Sequence, residues 1–127
     1  MTEHVLDASA LLALLRREKG YEKVEAVVAV SKVSAVNLAE AGSYLASAGA
    51  TPVHMQAQLD SLGVDTVPFD EEQAIETARL RPLTRSLGLS LGDRACLALA
   101  RTLQLPAMTT DRAWSELDIG VQVALIR

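Results

Sequence analysis

The chain has 127 residues, which is enough for one domain with its own core and too few for two. Half of the residues are hydrophobic but only 3% are aromatic, a composition that argues against base recognition by stacking on exposed rings. The formal net charge of −4 argues against a passive nucleic-acid binder, although an enzyme that meets phosphates through bound cations stays open.

Hydrophobic periodicity and turn residues predict short strands that alternate with helices. In chain order the predicted elements are a strand over 4–6, helices over 8–17 and 21–29, a strand over 32–34, helices over 35–48 and 53–62, a strand over 66–69, a helix over 71–87 that Pro82 kinks or splits, a helix over 91–103, a strand over 107–109, a helical turn over 112–117 and a strand over 121–126. This alternation predicts an α/β fold, with three α/β/α layers around a central, mainly parallel sheet of short strands.

Ligands of such sheets bind beyond the carboxyl ends of the strands. Four acidic residues are candidates for a site there. Asp7 directly follows the first strand, Asp111 follows a later one, and Asp93 lies in the first turn of a helix. Glu40 is the only charge in its helix, on a face that it shares with Asn37. A carboxylate in such surroundings is costly unless a cation meets it.

Carboxylates gathered at one end of a sheet need protons or a cation, because a pair about 4 Å apart repels by roughly 4 kcal/mol at an effective dielectric of 20. Oxygen ligands select Mg²⁺ or Mn²⁺. A zinc site is disfavoured, because the chain has only His4, His54 and a single cysteine as nitrogen or sulfur ligands. A bound Mg²⁺ would activate a water and reconcile the acidic chain with a phosphodiester substrate.

Each acid also has a structural explanation. Asp7 and Asp111 could simply cap the helices that follow them, Asp93 could close a capping box with the serine three residues earlier, and Glu40 could be an exposed helix charge. Asp70 also follows a strand and caps a helix without any assigned chemistry. Spacing alone therefore does not separate Asp70 from Asp7.

Four segments, taken together, resemble the PIN-domain family, and more specifically the VapC toxins of VapBC toxin–antitoxin systems. They occur in the family's order and are VLDASA at 5–10, VSAVNLAE at 33–40, GLSLGDRACLALA at 88–100 and TTDRAW at 109–114. The resemblance covers nearly the whole chain, so residues 1–127 are expected to form a single PIN domain.

The resemblance implies a Mg²⁺-dependent endoribonuclease, with Mn²⁺ as an alternative ion, that acts as the toxin of a bacterial toxin–antitoxin pair. Its catalytic and metal-binding quartet would be Asp7, Glu40, Asp93 and Asp111. The first three would bind one metal ion, directly or through water, and the fourth would hold a second ion or orient the attacking water. Ser9, Asn37 and Thr109 are expected to support these acids from behind.

The resemblance further implies a VapB-like antitoxin as partner, transfer or ribosomal RNA as substrate, a homodimer, and a cytoplasmic protein without membrane association. The single cysteine, Cys96, lies in an apolar run and fits a buried thiol in a reducing compartment. Phosphate contacts are expected from four arginines whose forked side chains suit them, the alternative being ordinary solvated charges. They are Arg81, Arg85, Arg94 and Arg112.

Two other functions compete with the nuclease. A response-regulator receiver also groups aspartates and Mg²⁺ on a parallel sheet, but it needs paired acids after its first strand and a late lysine. Here Asp7 stands alone and no lysine follows Lys32. The second alternative is a catalytically silent PIN-fold protein that only engages its antitoxin, and the presence of all four acids disfavours it.

Overall fold

The computed structural model describes residues 2–127. Its helices and strands are β1 (Val5–Leu6), α1 (Ala8–Arg16), α2 (Tyr21–Glu25), β2 (Lys32–Ser34), α3 (Ala35–Ser47), α4 (Pro52–Ser61), β3 (Asp65–Val67), α5 (Glu71–Leu83), α6 (Leu91–Leu103), β4 (Ala107–Thr109) and β5 (Val123–Leu125). Three short 3-10 helices connect them, at Val28–Val30, Arg85–Leu87 and Arg112–Glu116.

The five strands form one sheet in the order β3-β2-β1-β4-β5, and every neighbouring pair is parallel. The chain first fills the sheet outward from β1 to β3 and then returns to place β4 and β5 on the other side of β1. The direction of filling reverses between β1 and β4, and parallel α/β sheets bind their ligands at such a switch point. The carboxyl ends of β1 and β4 lead directly to Asp7 and Asp111.

Both faces of the sheet are covered, as the three-layer prediction requires. Successive strand residues point to opposite faces: Val5 and Ala107 pack with α5 and α6, whereas Leu6 and Met108 pack with α1 and α2. Cys96 belongs to the first of these two cores and is fully buried. Among residues 2–127, no helix is long and apolar enough to cross a lipid bilayer.

Apart from the helix that contains Pro82, three predicted elements differ from the observed ones by more than one residue at an end. The helix expected over 21–29 ends at Glu25 and gives way to the 3-10 turn Val28–Val30, where β-branched valines disfavour a continuous helix. The strand expected over 66–69 is Asp65–Val67, because Pro68 has no N–H for the ladder. The strand expected over 121–126 is confined to Val123–Leu125.

Pro82 ends its helix as predicted. α5 stops at Leu83, one residue after the proline, and the chain continues as the 3-10 turn Arg85–Leu87. Proline cannot donate to the carbonyl one turn earlier and its ring crowds that carbonyl, so the helix cannot continue far beyond it. The split places the turn at Gly88 before α6, the helix that carries Asp93.

Candidate active site

Asp7 is the buried centre of the site. It follows β1, caps α1, and is only 5% exposed. Its Oδ1 accepts hydrogen bonds from the Ser9 hydroxyl at 2.7 Å and from the Ala10 N–H at 2.9 Å. Its Oδ2 accepts the Thr109 hydroxyl at 2.5 Å. Capping of α1 therefore uses one oxygen only, and the residue does more than begin a helix.

The two hydroxyls that hold Asp7 are themselves fixed by the loop after β4. Ser9 Oγ accepts the N–H of Thr110 at 3.0 Å, and Thr109 Oγ1 accepts the N–H of Asp111 at 3.0 Å. The segment that ends in Asp111 is thus attached to Asp7 through two hydroxyl groups. Ser9 and Thr109, the two residues expected to support the acids, therefore both contact Asp7.

Burial raises the pKa of Asp7 from 3.8 to about 6. Loss of hydration is the largest cause, and the negative charge of Asp93 raises the pKa a little further. Hydrogen bonds from Thr109, Ser9 and Ala10 act in the opposite direction by stabilising the anion. The site therefore holds a carboxylate whose charge is poorly compensated by the protein.

Glu40 is linked to α6 through Asn37. Its side chain is exposed, and its Oε1 accepts a 2.9 Å hydrogen bond from Nδ2 of Asn37, one turn earlier on α3. The second N–H of that amide reaches the Gly92 carbonyl on α6, also at 2.9 Å. Glu40 is thereby brought next to the residue that precedes Asp93.

Asp93 performs the capping role that its spacing predicts. Ser90 Oγ accepts the Asp93 N–H and the Asp93 carboxylate accepts the Ser90 N–H, both at 3.1 Å, which closes the capping box at the start of α6. Asp93 is half-buried and close enough to Asp7 to raise the pKa of that carboxyl. Capping and chemistry are compatible, because the cap fixes the direction of the carboxylate.

The pKa of the Cys96 thiol is affected by three of the four acids. The pKa of this buried thiol is well above its ordinary value because of burial first, and then because of the negative charges of Asp7, Asp93 and Glu40. Three carboxylates from β1, α3 and α6 therefore act on one point in the core. The cysteine lies beneath the acids, where its thiol reaches toward the Val5 carbonyl at 4.0 Å.

Asp111 is exposed, whereas Asp7 at the end of the neighbouring strand is buried. It begins the 3-10 turn Arg112–Glu116, and its Oδ1 accepts the Ala113 N–H at 3.0 Å. Its backbone is tied to Asp7 through Thr109, as described above. Its carboxylate accepts one hydrogen bond and is exposed, as is that of Glu40.

The donor set fits a hard divalent cation. All four candidate ligands are carboxylates, which suit Mg²⁺ or Mn²⁺ rather than zinc. Within residues 2–127, however, no three acidic, histidine or cysteine side chains lie close enough together to coordinate one ion directly. Mg²⁺ commonly retains several waters when one or two carboxylates bind it. The arrangement therefore suits an ion held partly through water.

The four arginines expected at phosphates differ in their surroundings. Arg81, Arg85 and Arg112 are exposed. Arg94 is half-buried between α6 and α5, where its guanidinium donates to the Thr77 carbonyl at 3.2 Å and its Nε has no partner. Arg94 is thus engaged in the packing of two helices, and the other three are the freer candidates.

Gly92 is the site residue that the sequence reasoning did not single out. A Cβ atom at this position would collide with the Glu40 carboxylate. A glycine inside the first turn of a predicted helix was the available signal, since such a glycine often marks a close approach.

Trp114 belongs to the core. It is fully buried and packs with residues of α6 and β4, so it offers no platform for a base.

Comparison with known protein families identifies the family of this chain. The family model described as PIN domain matches residues 4–120. A comparison with curated protein sequences finds no significant match.

Solved structures similar to this chain include several toxin–antitoxin complexes. A chain of DNA-bound VapBC from Salmonella typhimurium has a TM-score of 0.78 at 18% identity, with all of both chains covered. A chain of VapBC-5 from Mycobacterium tuberculosis has a TM-score of 0.66 at 28% identity, with 100% of this chain and 99% of that chain covered. VapC20 from Mycobacterium tuberculosis, described as a sarcin-ricin loop cleaving toxin, has a TM-score of 0.73 at 16% identity, with 93% and 98% covered.

Proposed function

Because the chain belongs to the PIN-domain family, we propose that it is a divalent-metal-dependent endoribonuclease and the toxin of a toxin–antitoxin pair. The observation that carries the proposal is the buried Asp7, which receives three hydrogen bonds and lies within the field of the Asp93 charge but forms no ion pair within residues 2–127. A buried carboxylate without a cationic partner destabilises a fold. The presence of the buried Asp7 carboxylate is explained if a divalent cation binds to it.

We propose the following roles for the four acids. Asp7, Glu40 and Asp93 would hold a Mg²⁺ or Mn²⁺ ion, partly through water, and Asp111 would hold a second ion or orient the attacking water. When bound, such an ion supplies an activated water and neutralises charge that develops on the phosphate. Asp7 is fixed in direction by Ser9 and Thr109, so it has little side-chain freedom left to lose on binding.

The proposed partner is a VapB-like antitoxin, which fits the VapBC pairs among the similar structures. The proposed substrate is a transfer or ribosomal RNA, cut by attack of water to leave a 5′-phosphate. The description of VapC20 as a sarcin-ricin loop cleaving toxin supports ribosomal RNA as one candidate. Exposed Arg81, Arg85 and Arg112 would contact phosphates, and Arg94, which already donates to the Thr77 carbonyl, would contribute less. We further propose a homodimer of single PIN domains working in the cytoplasm.

The experiment is cleavage of total RNA by antitoxin-free protein in Mn²⁺, in Mg²⁺ and in EDTA, with mapping of the new RNA ends. We expect 5′-phosphate ends that require a divalent ion and that disappear in Asp7→Ala and Asp93→Asn. Asp70→Asn is the matched control, because Asp70 also follows a strand and caps a helix through the Gln73 N–H, yet lies on α5 outside the acidic group. This variant should cleave like the wild type.

The result that contradicts the nuclease is equally definite. If the wild-type protein cuts no RNA and is indistinguishable from Asp93→Asn while still binding its antitoxin, the chain is a silent PIN-fold binding protein. If cleavage persists in EDTA, the divalent ion has no part in it.

A further inference from the structure

Gly92 occupies a place where the backbone does not call for glycine. It lies in the first turn of α6, and unlike five other glycines of the chain it does not have a positive φ. Glycine is a poorer helix former than alanine, so its presence there weakens the helix. The structure gives a steric reason for a glycine at this position: a Cβ atom on Gly92 would overlap the carboxylate of Glu40.

Asn37 holds that carboxylate in place. Its amide donates one hydrogen to Glu40 Oε1 and the other to the Gly92 carbonyl, both at 2.9 Å. The side chain is only 1% exposed, and its Oδ1 is buried without a hydrogen-bond partner. An unsatisfied buried acceptor opposes folding. The buried amide therefore has a cost at its oxygen, and the two bonds that its nitrogen makes account for its presence.

We propose that Asn37 and Gly92 are positioning residues that form a seat for the Glu40 carboxylate and thereby set the affinity of the site for a divalent cation. Neither residue touches the ion. Gly92 leaves the space, and Asn37 fixes the carboxylate in it, next to Asp93 at the start of α6. The inference rests on the proposed function and deepens it by naming the residues that determine whether Glu40 can serve.

Gly92→Ala separates this role from folding. The added methyl meets the far end of an exposed, flexible glutamate, so the clash is relieved when Glu40 leaves its seat rather than when the helix moves. We expect a variant that is at least as stable as the wild type in EDTA, since alanine favours the helix. Its affinity for Mn²⁺, measured by calorimetry on antitoxin-free protein, should fall about tenfold or more, as for other changes behind metal ligands.

Two further variants sharpen the test. Glu40→Asp in the Gly92→Ala background should recover part of the lost Mn²⁺ affinity, because the shorter acid leaves room for the methyl group. Gly42→Ala is the control: Gly42 is also helical, and a Cβ there meets only the flexible ends of Met55 and Leu59 at 3.3 Å. It should leave Mn²⁺ affinity unchanged.

The outcomes distinguish this inference from the proposed function. Wild-type binding of Mn²⁺ together with unchanged binding by Gly92→Ala overturns the seat and leaves the nuclease intact. Absence of Mn²⁺ binding by the wild type overturns the proposed function. In that case a metal-free crystal structure of Gly92→Ala tests the seat by itself. The inference is wrong if Glu40 is still hydrogen-bonded to Asn37 in that structure. If Gly92→Ala does not fold, adding Glu40→Ala must restore folding, or the seat is wrong.

Discussion

The Thr109 hydroxyl donates a 2.5 Å hydrogen bond to Oδ2 of Asp7 across 102 positions of the chain. Thr109 ends β4 and Asp7 directly follows β1, and the pairing of these adjacent parallel strands places Met108 opposite Leu6. The same hydroxyl accepts the Asp111 N–H. One side chain thus connects two acids of the proposed quartet, and its removal is a direct test of how the site is held.

Thr109→Val should therefore damage both stability and cleavage. The substitution preserves shape but leaves the Asp111 N–H and one oxygen of buried Asp7 without their partner, which costs about 1–3 kcal/mol of unfolding free energy. Urea denaturation measures this loss, and RNA cleavage should fall with it.

Thr84→Val is the matched control for that change. Thr84 is equally buried, but its hydroxyl bonds only the Leu80 carbonyl within its own helix region. Loss of cleavage in Thr84→Val as large as in Thr109→Val would mean that the Asp7 contact is not what matters.

The raised pKa of Asp7 predicts a pH-dependent stability. In EDTA the folded protein keeps the Asp7 proton up to a pKa of about 6, whereas the unfolded chain releases it near 3.8. The folded state is thus favoured below pH 3.8, and that advantage is lost as the pH rises through 6. The stability difference between Asp7→Asn and wild type should shift in favour of the variant between pH 4 and 7, by roughly 2–3 kcal/mol.

Urea denaturation of both proteins at several pH values measures this shift, and other titrating groups cancel in the difference. A constant difference over the whole range would mean that Asp7 titrates normally in the folded protein.

A divalent cation should stabilise the folded chain. An ion that binds only the folded state at a hundred times its dissociation constant adds about 2.7 kcal/mol to the free energy of unfolding. We expect Mn²⁺ to raise the thermal midpoint of the wild type and of Asp70→Asn, but not that of Asp7→Ala. Equal responses of all three proteins would place any bound ion elsewhere.

Asn37 offers a test of the link between α3 and α6. Asn37→Ala removes two donors and should cost about 1–3 kcal/mol. Asn37→Asp should cost more at neutral pH, because a carboxylate would then face the Glu40 carboxylate and the Gly92 carbonyl, both acceptors. Denaturation at pH 4 should narrow the gap between the two variants as the introduced carboxyl becomes protonated.

Much of the fold could be predicted because local signals agree with the packing. The strands Lys32–Ser34 and Ala107–Thr109 and the helix Leu91–Leu103 have the predicted bounds. α6 is bounded by a capping box at Ser90 and by Gln104 in a left-handed conformation. Strand ends in a parallel sheet then bring Asp7 and Asp111 to one edge without further information.

Contacts between helices could not be predicted in the same way. Gln73 stands at capping-box spacing from Asp70, yet its side chain donates to Thr102 on α6 and leaves the box open. Similarly, the Arg94 guanidinium donates a hydrogen bond to the carbonyl of Thr77. Such partners depend on how α5 and α6 pack, and no local pattern encodes them.

The two hydroxyls that hold Asp7 have a consequence for the charge of the site. Ser9 and Thr109 donate to the Asp7 carboxylate, and their oxygens accept the N–H groups of Thr110 and Asp111. Both donors are electrically neutral, so they orient the anion without cancelling its charge. A lysine or arginine in either position would neutralise Asp7 and weaken its attraction for a divalent ion.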